Sequence, residues 1–186
     1  MGWLLVAAND CFPGRYVEEL TEIKVAQAGV KVEAPPRGSL RDMLIESPTI
    51  IGPDGKAHAF TLEDYQKLPR QTVADIGIGI GRGYRGVSVW EGVPLKEMLR
   101  FLLLDGRIDT CDTYVLVTGG DGYRALFSGT EVFINSADTC VLLIDRKDGK
   151  ELGKGSGAFT AVQRTDFYVD RNVRMVKEIR LVVVDR

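Results

Sequence analysis

Apolar and polar positions alternate with a period of two along several short stretches, the pattern of half-buried strands. Thr72–Ile80 alternates apolar and small residues, and Arg85–Trp90 follows as a second strand. Tyr114–Thr118 and Arg124–Phe127 form a pair joined by the turn Gly119-Gly120-Asp121-Gly122. Val141–Asp145 and Glu151–Leu152 flank Lys147-Asp148-Gly149-Lys150, whose Asp-Gly step predicts a hairpin. Val176–Val184 is a strongly apolar closing strand, and Asp54-Gly55 turns into a short strand around Lys56–Phe60.

Helical spacing is rarer. Leu95, Met98, Leu99 and Leu102 fall at i, i+3, i+4 and i+7, with Pro94 in the first turn and Gly106 at the end. Thr61 caps a helix with Asp64 three residues on, Leu62, Tyr65 and Leu68 form its buried face, and Pro69 closes it. Ser128 with Glu131 predicts another capped turn. Residues 1–49 read as a partly extended arm that packs on the core. In it Ile23–Ala28 and Val30–Glu33 are strand-like and Ser39 with Asp42 starts a short helix. Short strands with a few helices, and no regular βαβ alternation, predict an α+β domain rich in β structure.

The chain has 186 residues, 45% hydrophobic and 27% charged, enough for one domain with a real core. Lys+Arg 24 against Asp+Glu 26 leaves a net charge of -2, with no footprint for nucleic acid and no polybasic membrane anchor. No stretch reaches the roughly 20 apolar residues of a membrane span. Trp3–Ala8 is apolar but short, without a basic flank or cleavage site, so it does not make a signal peptide; an edge strand or a remnant of trimming remain as readings.

His58 is the single histidine, which removes every zinc site that needs two imidazoles and leaves one candidate base for a nucleophile. Flanked by Ala57 and Ala59, it reads as an ordinary strand residue. The three cysteines, Cys11, Cys111 and Cys140, show no C-x-x-C spacing, and Cys111 and Cys140, at the borders of predicted strands, read as packing residues. Gly81-Arg82-Gly83-Tyr84-Arg85-Gly86 matches G-x-G-x-x-G, but it leads into a strand, where no helix N-terminus can receive a pyrophosphate. Gly153-Lys154-Gly155-Ser156-Gly157 lacks the spacer and the Lys-Ser/Thr pair of a phosphate loop. Asp105, Asp109 and Asp112 lack the ligand rhythm of a calcium loop.

From Phe60 onward an ordered set of segments resembles the sulfite-oxidase-like molybdopterin-binding domain family. Phe60–Pro69 resembles that family's helix ending in Leu-Pro. Tyr84–Val87, followed by Trp90–Leu99, looks like its tryptophan–glycine–valine–proline–leucine segment. Asp121-Gly122-Tyr123-Arg124-Ala125 resembles its Asp-Gly-Tyr turn, with Glu131 in the helical turn beyond. Val141–Asp145 with Asp148–Leu152 is similar to its late hairpin, and Val173–Ile179 to its closing strand. The resemblance spans about residues 50–186 in unbroken order, and the segments are specific through order and spacing rather than singly.

The resemblance implies an α+β fold of layered, mostly mixed sheets with a few short helices. It also implies ancestry in domains that bind a molybdenum pyranopterin and transfer oxygen atoms, and extracytoplasmic, periplasmic residence. Catalytic members supply a cysteine thiolate to the metal just after the strand that follows the Leu-Pro helix. Here Thr72–Arg82 covers that place and contains no cysteine. The family's glycine–proline–arginine loop corresponds to Gly155–Gln163, which lacks both prolines and the arginine. A scaffold kept after the chemistry was lost is the implied reading, with a non-enzymatic small-ligand or protein-interaction module as its alternative. An anionic pterin phosphate needs arginine forks or close backbone N–H groups. Arg82, Arg85, Tyr123 and Arg124 are the candidate contacts, with Gly77, Gly79, Gly81, Gly83 and Gly86 allowing close approach. Ordinary strand-surface charges are the competing account of these arginines. A small anionic ligand or a partner redox protein would be the occupant, and Cys111 or Cys140 would be the substitute thiols. An open pocket around Gly79 would favour a ligand, and a filled one would favour partners.

Overall fold

The computed structural model describes residues 21–23, 46–79, 81–102, 112–134, 141–153, 155–166 and 169–183. By backbone contacts the chain divides into two compact units, Met1–Val32 and Glu33–Arg186. Residues 21–23 are all that is described of the first unit, so the arm elements expected before residue 46 lie outside the described residues. So do Cys11, Cys111, Cys140 and Gly106.

Among the described residues, ten strands build two sheets in the second unit. The first runs β2 (Ala57–Ala59), β1 (Thr49–Ile51), β10 (Val176–Val183), β5 (Thr113–Gly119) and β6 (Arg124–Ser128). It is mixed through one parallel pair, in which Ile50 of β1 sits opposite Ile179 of β10. The second runs β3 (Gln71–Gly79), β4 (Gly83–Pro94), β7 (Val141–Lys147) and β8 (Lys150–Glu151), with β9 (Thr160–Gln163) also paired to β7. All its pairs are antiparallel, so the mixed character implied by the resemblance is confined to the first sheet. The fold is α+β and β-rich, as the strand pattern implied.

Both sheets contribute one face to a common core. Val115, Val117, Phe127, Ile179 and Leu181 come from the first sheet, and Val93, Val141, Leu143 and Ala161 from the second. Fully burying a side chain of this size gives about 1.5–3 kcal/mol. The other face of the second sheet closes over Leu142, Ile144 and Val162, with Val73, Trp90 and Leu152 packed against them. Where β4 crosses β7, the backbones meet so closely that a Cβ on Gly92 would lie 2.6 Å from Ile144 Cα. Only glycine fits there.

Among the described residues, two short α-helices plug this core. In α1 (Leu62–Lys67) the Thr61 hydroxyl accepts from Asp64 N–H at 3.1 Å, and the Asp64 carboxylate accepts from Thr61 N–H at 3.2 Å. This reciprocal cap satisfies two donors that a helix start leaves orphaned. A helix of six residues carries one deep anchor, Tyr65, which is fully buried against Phe60 and Phe159. Leu62, expected on the buried face, is 56% exposed at the first position of the helix. In α2 (Leu95–Leu102) the expected stripe is observed: Leu95, Met98 and Leu99 are buried and Leu102 packs against the same cluster. Pro94 is not inside this helix. It ends β4, opposite Leu142, and the helix starts one residue later.

The turns follow their sequence signals. Asp148 and Gly149 have φ of 53° and 72° and form the two-residue connection between β7 and β8 that an Asp-Gly step favours. Asp148 also accepts from Val89 N–H at 2.8 Å and donates its own N–H to Val89 O at 2.7 Å, tying the turn to β4. Ser128 and Glu131 form a second reciprocal cap at a π-helical turn, Thr130–Ile134. His58 is a half-buried strand residue opposite Ile50, as its setting between alanines implied.

Candidate functional site

The four candidate contacts lie on two different elements. Arg82 and Arg85 sit at the end of a two-stranded ribbon made by β3 and β4. β4 pairs with β7 only from Trp90 to Pro94, so from Gly83 to Ser88 its ladder partner among the described residues is β3 alone. The ribbon kinks where Ile76 faces Val87 but Ile78 faces Tyr84, an extra residue on β4 that places Gly86 at φ 96°. Both arginines are exposed, and among the described residues neither guanidinium has a hydrogen bond or ion pair. Arg85 lies back over the strand: a Cβ on Gly79 would be 2.6 Å from its Nη2 and 2.9 Å from its Cζ. The space around Gly79 is therefore filled by Arg85, not open.

Tyr123 and Arg124 belong to the β5–β6 connection. Arg124 is half-buried in the ladder opposite Thr118. The Tyr123 hydroxyl donates to Asp170 O in a 3-10 turn, Val169–Arg171, that packs against β3, β6 and β9. That turn carries a cluster the strand and turn signals did not predict. The Arg171 guanidinium donates to both Asp166 oxygens at 2.6 Å, to Glu131 at 2.9 Å and to Leu126 O at 3.1 Å, and it stacks on the Phe127 ring at 5.1 Å. Burial alone pushes the Glu131 carboxyl up. The Ser128 N–H and Arg171 outweigh it and hold the group below its usual range. Of this cluster, only the spacing of Ser128 and Glu131 could be read locally; Asp166 and Arg171 reach it through the fold.

A cleft of about 280 Å³ lies elsewhere, lined by Leu62, Gln66, Arg70, Glu91, Asp145 and Arg146. Its floor is a two-point ion pair, with Arg70 Nη2 at 2.6 Å and Nη1 at 3.1 Å from the Asp145 carboxylate. Beneath it the Tyr65 hydroxyl donates to Leu143 O at 2.8 Å, and burial pushes that phenol well above its ordinary range. Two acids and two arginines balance each other here, which gives no net attraction for a phosphate.

No family model and no curated protein sequence matches the chain. Among solved structures, the sulfane dehydrogenase SoxCD from Paracoccus pantotrophus is similar in fold. The TM-score is 0.59 at 19% identity, over 79% of this chain and 40% of that one. This chain thus spans well under half of that neighbour, and the likeness is one of fold. It agrees with the β-rich α+β architecture that the sequence resemblance implied.

The segment that the resemblance assigns to the metal ligand does not fit a thiolate-bound molybdenum centre, and the three cysteines of the chain lie outside the described residues. Thr72–Arg82 offers no sulfur, Arg85 fills the space over Gly79, and no group of three His, Cys, Asp or Glu side chains among the described residues could hold a metal. Histidine and carboxylate side chains are no substitute for a soft thiolate ligand. No helix among the described residues is long and apolar enough to cross a membrane.

Proposed function

We propose that this chain is a molybdopterin-binding-domain-like protein, related to molybdenum oxidoreductases, that acts without redox turnover of its own. The observation that carries the reading is positional. The strand end that should lead to a metal-ligating thiolate is a glycine-rich hairpin, and an arginine occupies the space beside it. The neighbour's description as a sulfane dehydrogenase supports ancestry among oxidoreductases. Extracytoplasmic residence belongs to the same resemblance.

The test is the metal and pterin content of the protein purified from a molybdate-fed host that makes the cofactor. Background molybdenum and no released pterin fluorescence are expected. Molybdenum and pterin in equal molar amounts would overturn the reading.

A second reading, a non-enzymatic binding module for a small anionic ligand or a partner redox protein, is favoured by Arg82 and Arg85. Exposed cations with no partner among the described residues are available to an anion. Tyr123 and Arg124 stand on another element, where the Tyr123 hydroxyl is already given to the Val169–Arg171 turn, so under this reading the anion falls to the ribbon arginines.

A further inference from the structure

We infer that the cleft beside α1 binds a small zwitterion, a free amino acid with an apolar side chain. The inference goes beyond the molybdenum reading and does not depend on it. The site is built by an irregularity in the sheet. Gly92 pairs with Ile144 but Glu91 pairs with Arg146, so Asp145 is an extra residue on β7. A bulge of this kind re-aims a side chain, here bringing Asp145 and Arg146 to the same side. Beyond the bulge Trp90 is opposite Lys147, whose ammonium lies 4.8 Å over the indole on the far face of the sheet. Glu91 and Arg146 therefore face the α1 side with Asp145, where all three line the cleft together with Leu62, Gln66 and Arg70.

The four charges of the cleft are not equivalent. Arg70 and Asp145 hold each other at two points, 2.6 and 3.1 Å, and the Arg70 guanidinium lies 5.5 Å over the Tyr65 ring. That pair is a fixed wall. Glu91 and Arg146 stand directly opposite each other across the ladder, yet among the described residues neither side chain has a hydrogen bond or ion pair. Opposite charges in this position normally gain by closing on each other. Left apart, they offer a carboxylate and a guanidinium to one occupant, and Gln66 adds an amide with no partner among the described residues. An occupant of a single sign meets attraction and repulsion together. A molecule of both signs satisfies both groups, its carboxylate on the Arg146 fork and its ammonium on Glu91. Leu62 lines the same cleft and is 56% exposed, a surface for an apolar side chain. At about 280 Å³ the cleft is just below the range that takes drug-sized ligands, which suits a molecule of amino-acid size.

The experiment titrates the full chain with L-leucine by calorimetry. N-acetyl-L-leucine, which lacks the ammonium, and L-leucine amide, which lacks the carboxylate, are the counter-probes. Leucine should bind saturably, and each counter-probe about tenfold or more weakly. Two variants assign the ends of the ligand. In Glu91→Gln leucine should weaken by about tenfold and lose its advantage over N-acetyl-leucine. In Arg146→Gln it should weaken similarly and lose its advantage over leucine amide. Neither side chain has a partner among the described residues, so both variants should keep the wild-type Tm. Glycine should bind more weakly than leucine, because it makes no contact with Leu62. Leucine that does not saturate, equal binding of the three leucine probes, or variants that leave their ranking unchanged would overturn the inference. Tightest binding by leucine amide would overturn it in favour of a simple cation, and tightest binding by N-acetyl-leucine in favour of an anion. Glycine binding as well as leucine would contradict the apolar side chain.

Discussion

Two arginine-bearing regions of the same unit obey opposite rules. At the Val169–Arg171 turn, Arg171 is held by two carboxylates, a backbone carbonyl and an aromatic face. At the end of the ribbon, Arg82 and Arg85 are exposed, and neither guanidinium has a hydrogen bond or ion pair among the described residues. A cation that is paired on every side holds a structure together. One that is left unpaired contributes little to folding and is free to meet another molecule. The contrast separates the arginines by their surroundings, which their order in the sequence could not do.

The largest expected effect lies in the first region. Arg171→Ala leaves Glu131 and Asp166 without their shared cation and should cost about 2–3 kcal/mol in chemical denaturation. Arg82→Ala and Arg85→Ala should stay within about 0.5 kcal/mol. Equal losses in the two regions would break the distinction. Next, Tyr65→Phe removes the hydroxyl that donates to Leu143 O and should cost about 1 kcal/mol.

Two carboxyls give the contrast a pH signature. Glu131 is held below the usual carboxyl range, so its stabilising contribution is complete above that range. The contribution is lost as pH falls through the lower folded pKa. Glu131→Gln should therefore be less stable at neutral pH and show a flatter acid limb. Asp75, on the ribbon, goes the other way. Burial raises its carboxyl, only partly offset by the Ile76 N–H and Arg164. A raised carboxyl makes ionisation oppose folding above the folded pKa, and the penalty disappears as pH falls below it. Asp75→Asn should give a small rise in Tm at neutral pH that vanishes in acid, the smallest effect of the set.

Much of the scaffold was legible because local rules and the fold agree. Thr61 with Asp64, Ser128 with Glu131, the Leu95–Met98–Leu99 stripe and the Asp148-Gly149 turn each carry their signal within four residues. β9 was not legible: Thr160–Gln163 is four residues long, follows a run of glycines, and is buried throughout, so no alternation marks it. The Pro94 boundary misled because a proline suits both a first helical turn and the end of a strand. The candidate site was half legible. Residue type singled out Arg82, Arg85, Tyr123 and Arg124, but only the strand pairing shows that the first two lie on a ribbon apart from β6. Arg171 carried no local signal, since Glu131 and Leu126 are 40 and 45 residues away along the chain.

The central claim is a molybdopterin-domain scaffold that holds no working metal centre. Its most direct test pairs two purifications, one from a host that makes the pterin cofactor and one from a strain that cannot. A bound group would raise the Tm of the first preparation by mass action on the folded state. The account predicts the same Tm for both, with background molybdenum and no released pterin in either. A higher Tm confined to the cofactor-making host, with molybdenum and pterin in equal molar amounts, would contradict it.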